Sequence, residues 1–261
     1  MHNSLDEFWS EYTSVAYKKS GGGPDMVFRG VTNQAHEMIP SIGRNTKDNT
    51  HGDVSSLEEE MLKEFMRLAG PILPQKPGCN FEWLFLAQHY GLPTRLLDWS
   101  TNPLVALYFA CERNDGIDGA VYFVKHAVSD QYEIFDSRTA NYAASEKGKP
   151  YTAVAIQPNQ GSFIFVRPKY TDQRYLNQRS VFCCPKDPFS VVEIPGIEEM
   201  HVRGAWKPEI RRRLRTMGVS TSHIYPGLAG VASELKSFMY DPVAAGRTMI
   251  LTARMEFKLG G

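Results

Sequence analysis

Residues 89–103 read His89-Tyr90-Gly91-Leu92-Pro93-Thr94-Arg95-Leu96-Leu97-Asp98-Trp99-Ser100-Thr101-Asn102-Pro103. This stretch contains a glycine that suits the end of a helix, a short apolar run, and an Asn-Pro pair that suits the start of the next helix. It predicts a helix ending at Gly91, a strand over residues 94–99 and a helix capped by Asn102. Several polar side chains would therefore lie at the ends of one short strand.

The charged residues of this strand need partners. Arg95 and Asp98 are three residues apart, so on a regular strand they face opposite sides. A charge among apolar residues is costly to bury unless it is paired. We therefore predict a structural role for Arg95, whereas Asp98 is open to either a structural or a site role.

Ser100 and Thr101 stand at the strand end, immediately before the predicted helix. Hydroxyl groups and free backbone N–H groups meet at such a position, and they bind an anion or a ribose readily. Because Asn102-Pro103 already supplies the capping signal, we favour a site role for Ser100 or Thr101. Plain helix capping is the alternative.

Three amphipathic helices are predicted on the N-terminal side. The first covers residues 4–18 and stops at the glycine-rich segment 21–24, which we interpret as a hinge because no Gly-Lys-Ser/Thr sequence follows it. The second begins with Ser56 and Glu59 spaced as a capping box, and the third begins at Asn80. The predicted buried face of the second helix comprises Leu57, Met61, Leu62, Phe65 and Leu68.

Strand patterns dominate the rest of the chain. They occur at residues 120–124, 162–166, 179–183, 191–194 and 249–257. Helices followed by strands indicate an α+β fold. We predict two units, an N-terminal helix with its hinge (residues 1–24) and a main domain (residues 25–261).

Composition excludes several classes of function. The chain has 261 residues, with 29 Lys and Arg against 29 Asp and Glu, so it lacks the net charge of a broad nucleic-acid-binding surface. Its four cysteines form no Cys-x-x-Cys pair, and we predict neither disulfides nor a metal site. No signal peptide or membrane span is indicated, so a cytoplasmic protein without a membrane partner is expected.

Two blocks of sequence resemble a known family. Phe28-Arg29-Gly30 and the run from His89 to Cys111 resemble the FRG family, named for the first triplet. Further similar pieces are Gly119-Ala120-Val121-Tyr122-Phe123-Val124, Arg174, Gln178 and Ile224-Tyr225-Pro226-Gly227-Leu228-Ala229-Gly230. The resemblance spans about residues 26–240. The FRG family in turn resembles a divergent branch of the ADP-ribosyltransferases, which implies N-terminal helices and two split, mostly antiparallel sheets with NAD between them.

The resemblance also implies roles for individual residues. Arg29 corresponds to the arginine on the first strand, and Ser100-Thr101 correspond to the Ser-Thr-type strand end. Gln178 stands where many relatives carry a glutamate. A glutamine can hydrogen-bond a ribose hydroxyl but cannot act as a base. Glu193 is the alternative candidate for the acid, although it is more simply interpreted as an outward-facing strand residue.

Cleavage of the nicotinamide–ribose bond develops positive charge on the ribose, so a site needs a diphosphate clamp, a wall for nicotinamide and a stabilising acceptor. Arg29 would be the clamp, unless it pairs with a buried acid such as Asp98. Gly30 would let the ligand approach the backbone. Tyr90 (or Trp99) would stack on nicotinamide, and His89 would act as acid, base or donor.

The function implied is that of an NAD-dependent ADP-ribosyltransferase, a glycosyltransferase with NAD as substrate and no metal. It would be a toxin effector in a toxin–antitoxin or antiviral defence system, modifying a nucleic acid, with RNA favoured, and binding an antitoxin or chaperone. The alternatives are a catalytically silent ligand- or nucleic-acid-binding module and an NAD glycohydrolase. Arg211, Arg212, Arg213 and Arg215, in a predicted helix over residues 208–218, are either a solvated face or an RNA contact.

Overall fold

A computed structural model describes residues 2–19, 26–44, 51–125, 133–136, 162–169 and 172–241. The predicted hinge at 21–24 and the predicted strand at 249–257 lie outside these residues. No helix in the described part of the chain is both long enough and apolar enough to cross a membrane.

Seven strands form one sheet in the order β4-β5-β6-β2-β1-β3-β7. All pairings are antiparallel except that of β4 with β5. The strands are β1 (Met26–Val31), β2 (Leu97–Ser100), β3 (Gly119–Lys125), β4 (Glu133–Asp136), β5 (Phe163–Arg167), β6 (Ser180–Pro185) and β7 (Glu198–Val202).

Eight α-helices accompany this sheet in the described residues. They are α1 (Leu5–Lys19), α2 (His51–Ala69), α3 (Asn80–His89), α4 (Pro103–Cys111), α5 (Gln173–Gln178), α6 (Lys207–Thr216), α7 (Thr221–Ile224) and α8 (Leu228–Leu235). The predicted α+β class is therefore confirmed.

The sheet has a narrow join at its centre. Strand β1 pairs with β3 along all six of its residues, from Met26 to Val31, but it pairs with β2 only between Phe28 and Ser100. The half β7-β3-β1 and the half β2-β6-β5-β4 thus meet at a single residue pair. The described strands form one sheet rather than the two split sheets that the resemblance implies, because this one pair connects the halves.

Apolar clusters lie on both sides of the join. One contains Phe8 and Tyr12 of α1 together with residues of α4 and α6, and the Tyr12 hydroxyl donates to the Pro103 carbonyl at 2.6 Å. Another packs α2 and α3 onto β5 and β6, where Phe85 stacks on Phe182 with ring centroids 4.5 Å apart. Helix α1 is therefore part of the packed core.

Helix α2 departs from its prediction in both start and orientation. It begins at His51 rather than at Ser56, and Leu57 and Leu68 are 47% and 54% exposed. The buried side chains include Glu58 and Leu62. Glu58 turns inward because its carboxylate pairs with the buried guanidinium of Arg95, which an apolar-periodicity argument does not take into account.

Strand β2 is shorter than predicted for a related reason. It begins at Leu97, because the backbone N–H of Arg95 donates to the Glu58 carboxylate at 2.9 Å instead of to a neighbouring strand. The flanking signals are confirmed. Gly91 takes a left-handed φ of 90° after α3, and the Asn102 side chain accepts from the Leu104 N–H at 2.9 Å to cap α4.

The prediction of a strand at residues 191–194 is wrong. Val192 and Ile194 are buried, but they lie in irregular backbone whose Val192 N–H donates to the Met38 carbonyl. The alternation of apolar and polar residues here reflects burial along a loop rather than pairing with a neighbouring strand. Strands β4 and β7 were not predicted.

Helix α6 is anchored by a buried lysine. The Lys207 ammonium donates to the carbonyls of Thr32, Arg113 and Asn114 at 2.7, 3.2 and 3.1 Å. The helix ends at Thr216, and Met217 beyond it is 53% exposed.

Candidate functional site

A cavity of about 300 Å³ opens beside the narrow join of the sheet. Seven residues predicted for the site line it: Arg29, Gly30, His89, Asp98, Trp99, Ser100 and Gln178. Tyr90 and Thr101 are not in its wall. Tyr90 is 66% exposed, and the Thr101 N–H donates to the Arg179 carbonyl.

Arg29 lies next to the residue pair that joins the sheet halves. Its Nη1 donates to the backbone carbonyl of Asp98 at 2.6 Å, so the guanidinium bridges β1 and β2 where their pairing stops. Burial lowers its pKa, opposed by the nearby Asp98 charge. The expected alternative, a pair with the Asp98 carboxylate, is replaced by this bond to the Asp98 main chain.

The Asp98 carboxylate has a different partner. Its Oδ1 accepts from Gln88 Nε2 at 2.8 Å. Arg95 instead pairs with Glu58, with Nε and Nη2 at 2.9 and 2.7 Å from Glu58 Oε2, and both side chains are buried. The buried pair with Glu58 gives Arg95 the structural role that was predicted for it. Asp98 instead faces the cavity.

Gly30 is required by helix packing. A Cβ atom at this position would lie 1.9 Å from the Ala106 carbonyl oxygen and 2.6 Å from the Ala110 nitrogen, both in the backbone of α4. The close approach of a ligand stays a prediction for this glycine, which also lines the cavity. Its missing side chain lets α4 lie directly against β1.

Ser100 and Gln178 are linked to each other. The Ser100 hydroxyl donates to the Gln178 carbonyl at 2.6 Å and accepts from the Asn102 N–H at 2.9 Å. Gln178 Nε2 donates to the Ile224 carbonyl at 3.1 Å. The serine thus contributes to positioning both α4 and the end of α5, while both residues line the cavity.

His89 lies at the end of α3 with its ring against Tyr90 and Tyr175, at centroid distances of 4.8 and 5.4 Å. Burial lowers its pKa, the Arg174 charge lowers it further, and Asp172 raises it in opposition. Its Nδ1 is 4.0 Å from Asp172 Oδ1, which is too long for a hydrogen bond. The imidazole is therefore held mainly in its neutral form.

Several buried polar atoms at this cavity have no hydrogen-bond partner in the described part of the chain. They are Arg29 Nε, His89 Nδ1, Trp99 Nε1 and Tyr175 Oη, and all four residues line the cavity. Buried polar groups are almost always hydrogen-bonded, so such a concentration requires a cause. A polar ligand in the cavity would supply it.

Residues outside the predicted set also reach this cavity. Arg174 Nη1 donates to the His89 carbonyl at 2.9 Å, and its guanidinium lies 4.9 Å from the centre of the Tyr225 ring. Tyr225 in turn donates to Glu112 Oε1 at 2.7 Å. Arg174 and Tyr225 were noted only as part of the resemblance, and Glu112 could have been found from its charge at the end of an otherwise apolar helix.

A second cavity of about 670 Å³ lies beside α6. Glu112 and Arg113 line both cavities. The basic cluster of α6 borders it, but its arginines are engaged: Arg211 pairs with Asp115, Arg212 with Glu209, and Arg213 with Asp6 and Glu209. Arg215 lies 3.5 Å from the Phe238 ring centre. This geometry favours the interpretation as a solvated, ion-paired face.

The remaining predicted groups lie apart from the cavity. Glu193 is exposed and does not line it. The four cysteines are buried and form no disulfide bond. No group of three or more His, Cys, Asp or Glu residues that could hold a metal ion occurs within the residues the structure describes.

Comparison with known proteins places one region of the chain. The family model of the FRG domain matches residues 24–118. This match supports the resemblance to the FRG family that the sequence motifs indicate. No curated protein and no solved structure gave a match. The FRG region includes Arg29, His89, Asp98 and Glu112, whereas Arg174, Gln178 and Tyr225 follow it in sequence.

Proposed function

We propose that this protein is an NAD-dependent ADP-ribosyltransferase and that the cavity at the sheet join binds NAD. The observation that carries the proposal is a set of buried polar atoms on Arg29, His89, Trp99 and Tyr175, around one cavity, that have no hydrogen-bond partner among the described residues. Such a set indicates a polar ligand. The choice of NAD comes from the FRG match together with the resemblance of that family to ADP-ribosyltransferases.

The cavity residues fit the chemical groups of NAD. The described part of its wall includes Arg29, Arg44 and Arg174, whose guanidinium groups suit a diphosphate through charge and forked donors. Arg29 Nε is a buried donor that has no partner within the part of the chain that the structure describes, so an anionic oxygen would satisfy it. The aromatic wall of Trp99, Tyr175 and Tyr225 suits the flat nicotinamide ring.

Transfer requires the ribose to be oriented while its bond to nicotinamide breaks. Gln178 and Ser100 are held by hydrogen bonds to backbone at this wall, so neither needs to be ordered when a ligand binds. Gln178 supplies hydrogen bonds but no charge. A neutral His89 supplies either a donor or an acceptor at Nδ1, which has no hydrogen-bond partner among the described residues.

RNA is the acceptor that we propose first, and a toxin effector is the proposed biological role. Arg113 supports a phosphate-bearing acceptor, because it is exposed and borders both cavities. A transferase that modifies nucleic acid would harm its own cell unless it were restrained. We therefore propose an antitoxin or chaperone as partner, in a toxin–antitoxin or antiviral defence system.

The second proposal is a module that binds NAD or another polar ligand without transferring it, and the observation that favours it is Gln178 at the expected position of the acid. NAD hydrolysis without an acceptor is a variant of the first proposal. Incubation with NAD labelled in its adenylate part, together with separate pools of RNA, DNA and protein, distinguishes them. Label in the RNA pool is expected. Nicotinamide release without label in any pool indicates hydrolysis, and binding without release indicates the silent module.

A further inference from the structure

Glu112 is a carboxylate in an unfavourable local position. It is the C-cap residue of α4, where the helix dipole places partial negative charge and disfavours an acid. The preceding helix is strongly apolar, so no neighbouring cation of α4 compensates it. Residues that break a local rule without an evident structural gain are frequently functional.

The carboxylate is nevertheless held in place. The Tyr225 hydroxyl donates to Glu112 Oε1 at 2.7 Å, and the Arg174 guanidinium lies against the Tyr225 ring. Burial raises the pKa of Tyr225, and Glu112 raises it further, so the phenol keeps its proton at neutral pH and remains a donor. Tyr225 thereby links Glu112 at the end of α4 to Arg174 of α5.

Location separates Glu112 from the other acids of the cavity. The smaller cavity has three carboxylates in the described part of its wall, on Glu37, Asp98 and Glu112, and of these Glu112 alone also lines the larger cavity. Asp98 is already bound by Gln88. Glu112 therefore borders both a cavity suited to NAD and a second cavity large enough for an acceptor group.

We propose that Glu112 is the catalytic carboxylate of this site, in place of the acid that Gln178 does not supply, and that the acceptor approaches through the larger cavity. The inference rests on the proposed transferase function. In the step assigned to it, the bond between nicotinamide and ribose C1′ breaks and nicotinamide leaves with the electron pair. The lone pair of an acceptor N–H or O–H forms the new bond to C1′, and the acceptor proton passes to the Glu112 carboxylate and then to solvent.

The test compares Glu112→Gln with the unaltered protein in NAD binding by calorimetry and in steady-state transfer. Glutamine keeps an oxygen that accepts from Tyr225 but removes the charge. We expect NAD affinity and KM to change less than about threefold while kcat falls about 100-fold or more, because general-base catalysis contributes on that order. An unchanged kcat in Glu112→Gln would overturn the inference. Transfer by the unaltered protein would in that case still support the proposed function. If the unaltered protein neither binds nor cleaves NAD, the proposed function itself fails.

Two matched variants separate catalysis from structure. Glu193→Gln removes an exposed acid outside both cavities and should leave kcat unchanged. Tyr225→Phe removes the hydrogen bond to Glu112 but keeps the carboxylate, so it should retain much more activity per folded molecule than Glu112→Gln. Equal losses of kcat and melting temperature in Tyr225→Phe and Glu112→Gln would show a structural role and overturn the inference, as would loss of activity in Glu193→Gln.

Discussion

The Arg29 side chain has two roles, one in the sheet and one at the cavity. Its Nη1 bridges the sheet halves through the Asp98 carbonyl, while its Nε remains a buried donor at the cavity. A guanidinium is suited to this combination because its donors point in several fixed directions. The same residue therefore belongs both to the join of the sheet and to the proposed diphosphate site.

The substitution Arg29→Lys tests the second of these roles. Lysine keeps the charge but loses the forked donors, so we expect NAD affinity to fall by about 10- to 100-fold, the effect of losing charge-assisted hydrogen bonds of about 1.5–3 kcal/mol. Calorimetric titration of NAD measures it. Lys186→Arg, directly after β6 and outside the cavity wall, is a charge-conserving control. Unaltered affinity would exclude the clamp, and a large fall in melting temperature alone would assign Arg29 to the fold.

The lowered pKa of His89 predicts that the stability of the protein depends on pH. Its folded-state pKa is lowered, so below the ordinary histidine pKa of about 6.5 the unfolded chain binds a proton that the folded protein does not. The free energy of unfolding should therefore decrease as pH falls below about 6.5 and level off below the folded-state pKa. Urea denaturation at a series of pH values measures this slope. The slope should be smaller in His89→Gln, and an identical slope would contradict the assignment.

Single residues were predictable where one local rule determines them. Gly91 and Asn102 followed from capping geometry, and the structural role of Arg95 followed from the cost of an unpaired buried charge. The partner of Arg95 was not predictable, because Glu58 lies 37 positions earlier and its inward orientation depends on tertiary packing. Glu112 was missed because its hydrogen-bond partner Tyr225 lies 113 positions later in the chain.

At the scale of elements, the packing of α4 against β1 depends on direct contact between their backbones. Gly30 of β1 lies against the backbone of α4 at Ala106 and Ala110. This contact fixes α4, and with it Glu112 at the end of α4, relative to Arg29. The position of the acid across the cavity is thus set by a glycine.

The substitution Gly30→Ala tests this packing. The new Cβ would lie 1.9 Å from the Ala106 oxygen, so strand and helix must separate. We expect a loss of about 1–3 kcal/mol or more in the free energy of unfolding, as for overpacked cores. Gly116→Ala is the matched control, because no atom lies within 4 Å of its added Cβ. Equal stability of both variants in urea denaturation would contradict the packing account.

Elements were predictable where burial and pairing coincide. The pattern at residues 120–124 became β3, which pairs along its length with β1. At residues 191–194 the same alternation arose from a loop that buries Val192 and Ile194 without pairing. Strand β7 escaped prediction because Glu198, Glu199 and His201 leave it only two buried side chains. Pairing with β3 rather than its own pattern makes it a strand.

For the whole molecule, the feature that organises the site is the single residue pair between Phe28 and Ser100. The sheet halves separate beyond this pair, and the cavity with its unpaired polar atoms lies there. The α+β class was predictable from the order of helix and strand patterns. The continuous sheet was not, because one bridging pair leaves no periodic signal in the sequence.

The most direct measurement of the central claim is the release of nicotinamide from NAD by the purified protein in the presence of total cellular RNA, followed by chromatography. The account predicts that nicotinamide appears in the same molar amount as ADP-ribose joined to the acceptor, and that Arg29→Lys reduces both together. Recovery of NAD intact, at protein concentrations that saturate it in calorimetry, would contradict the account and leave a binding module.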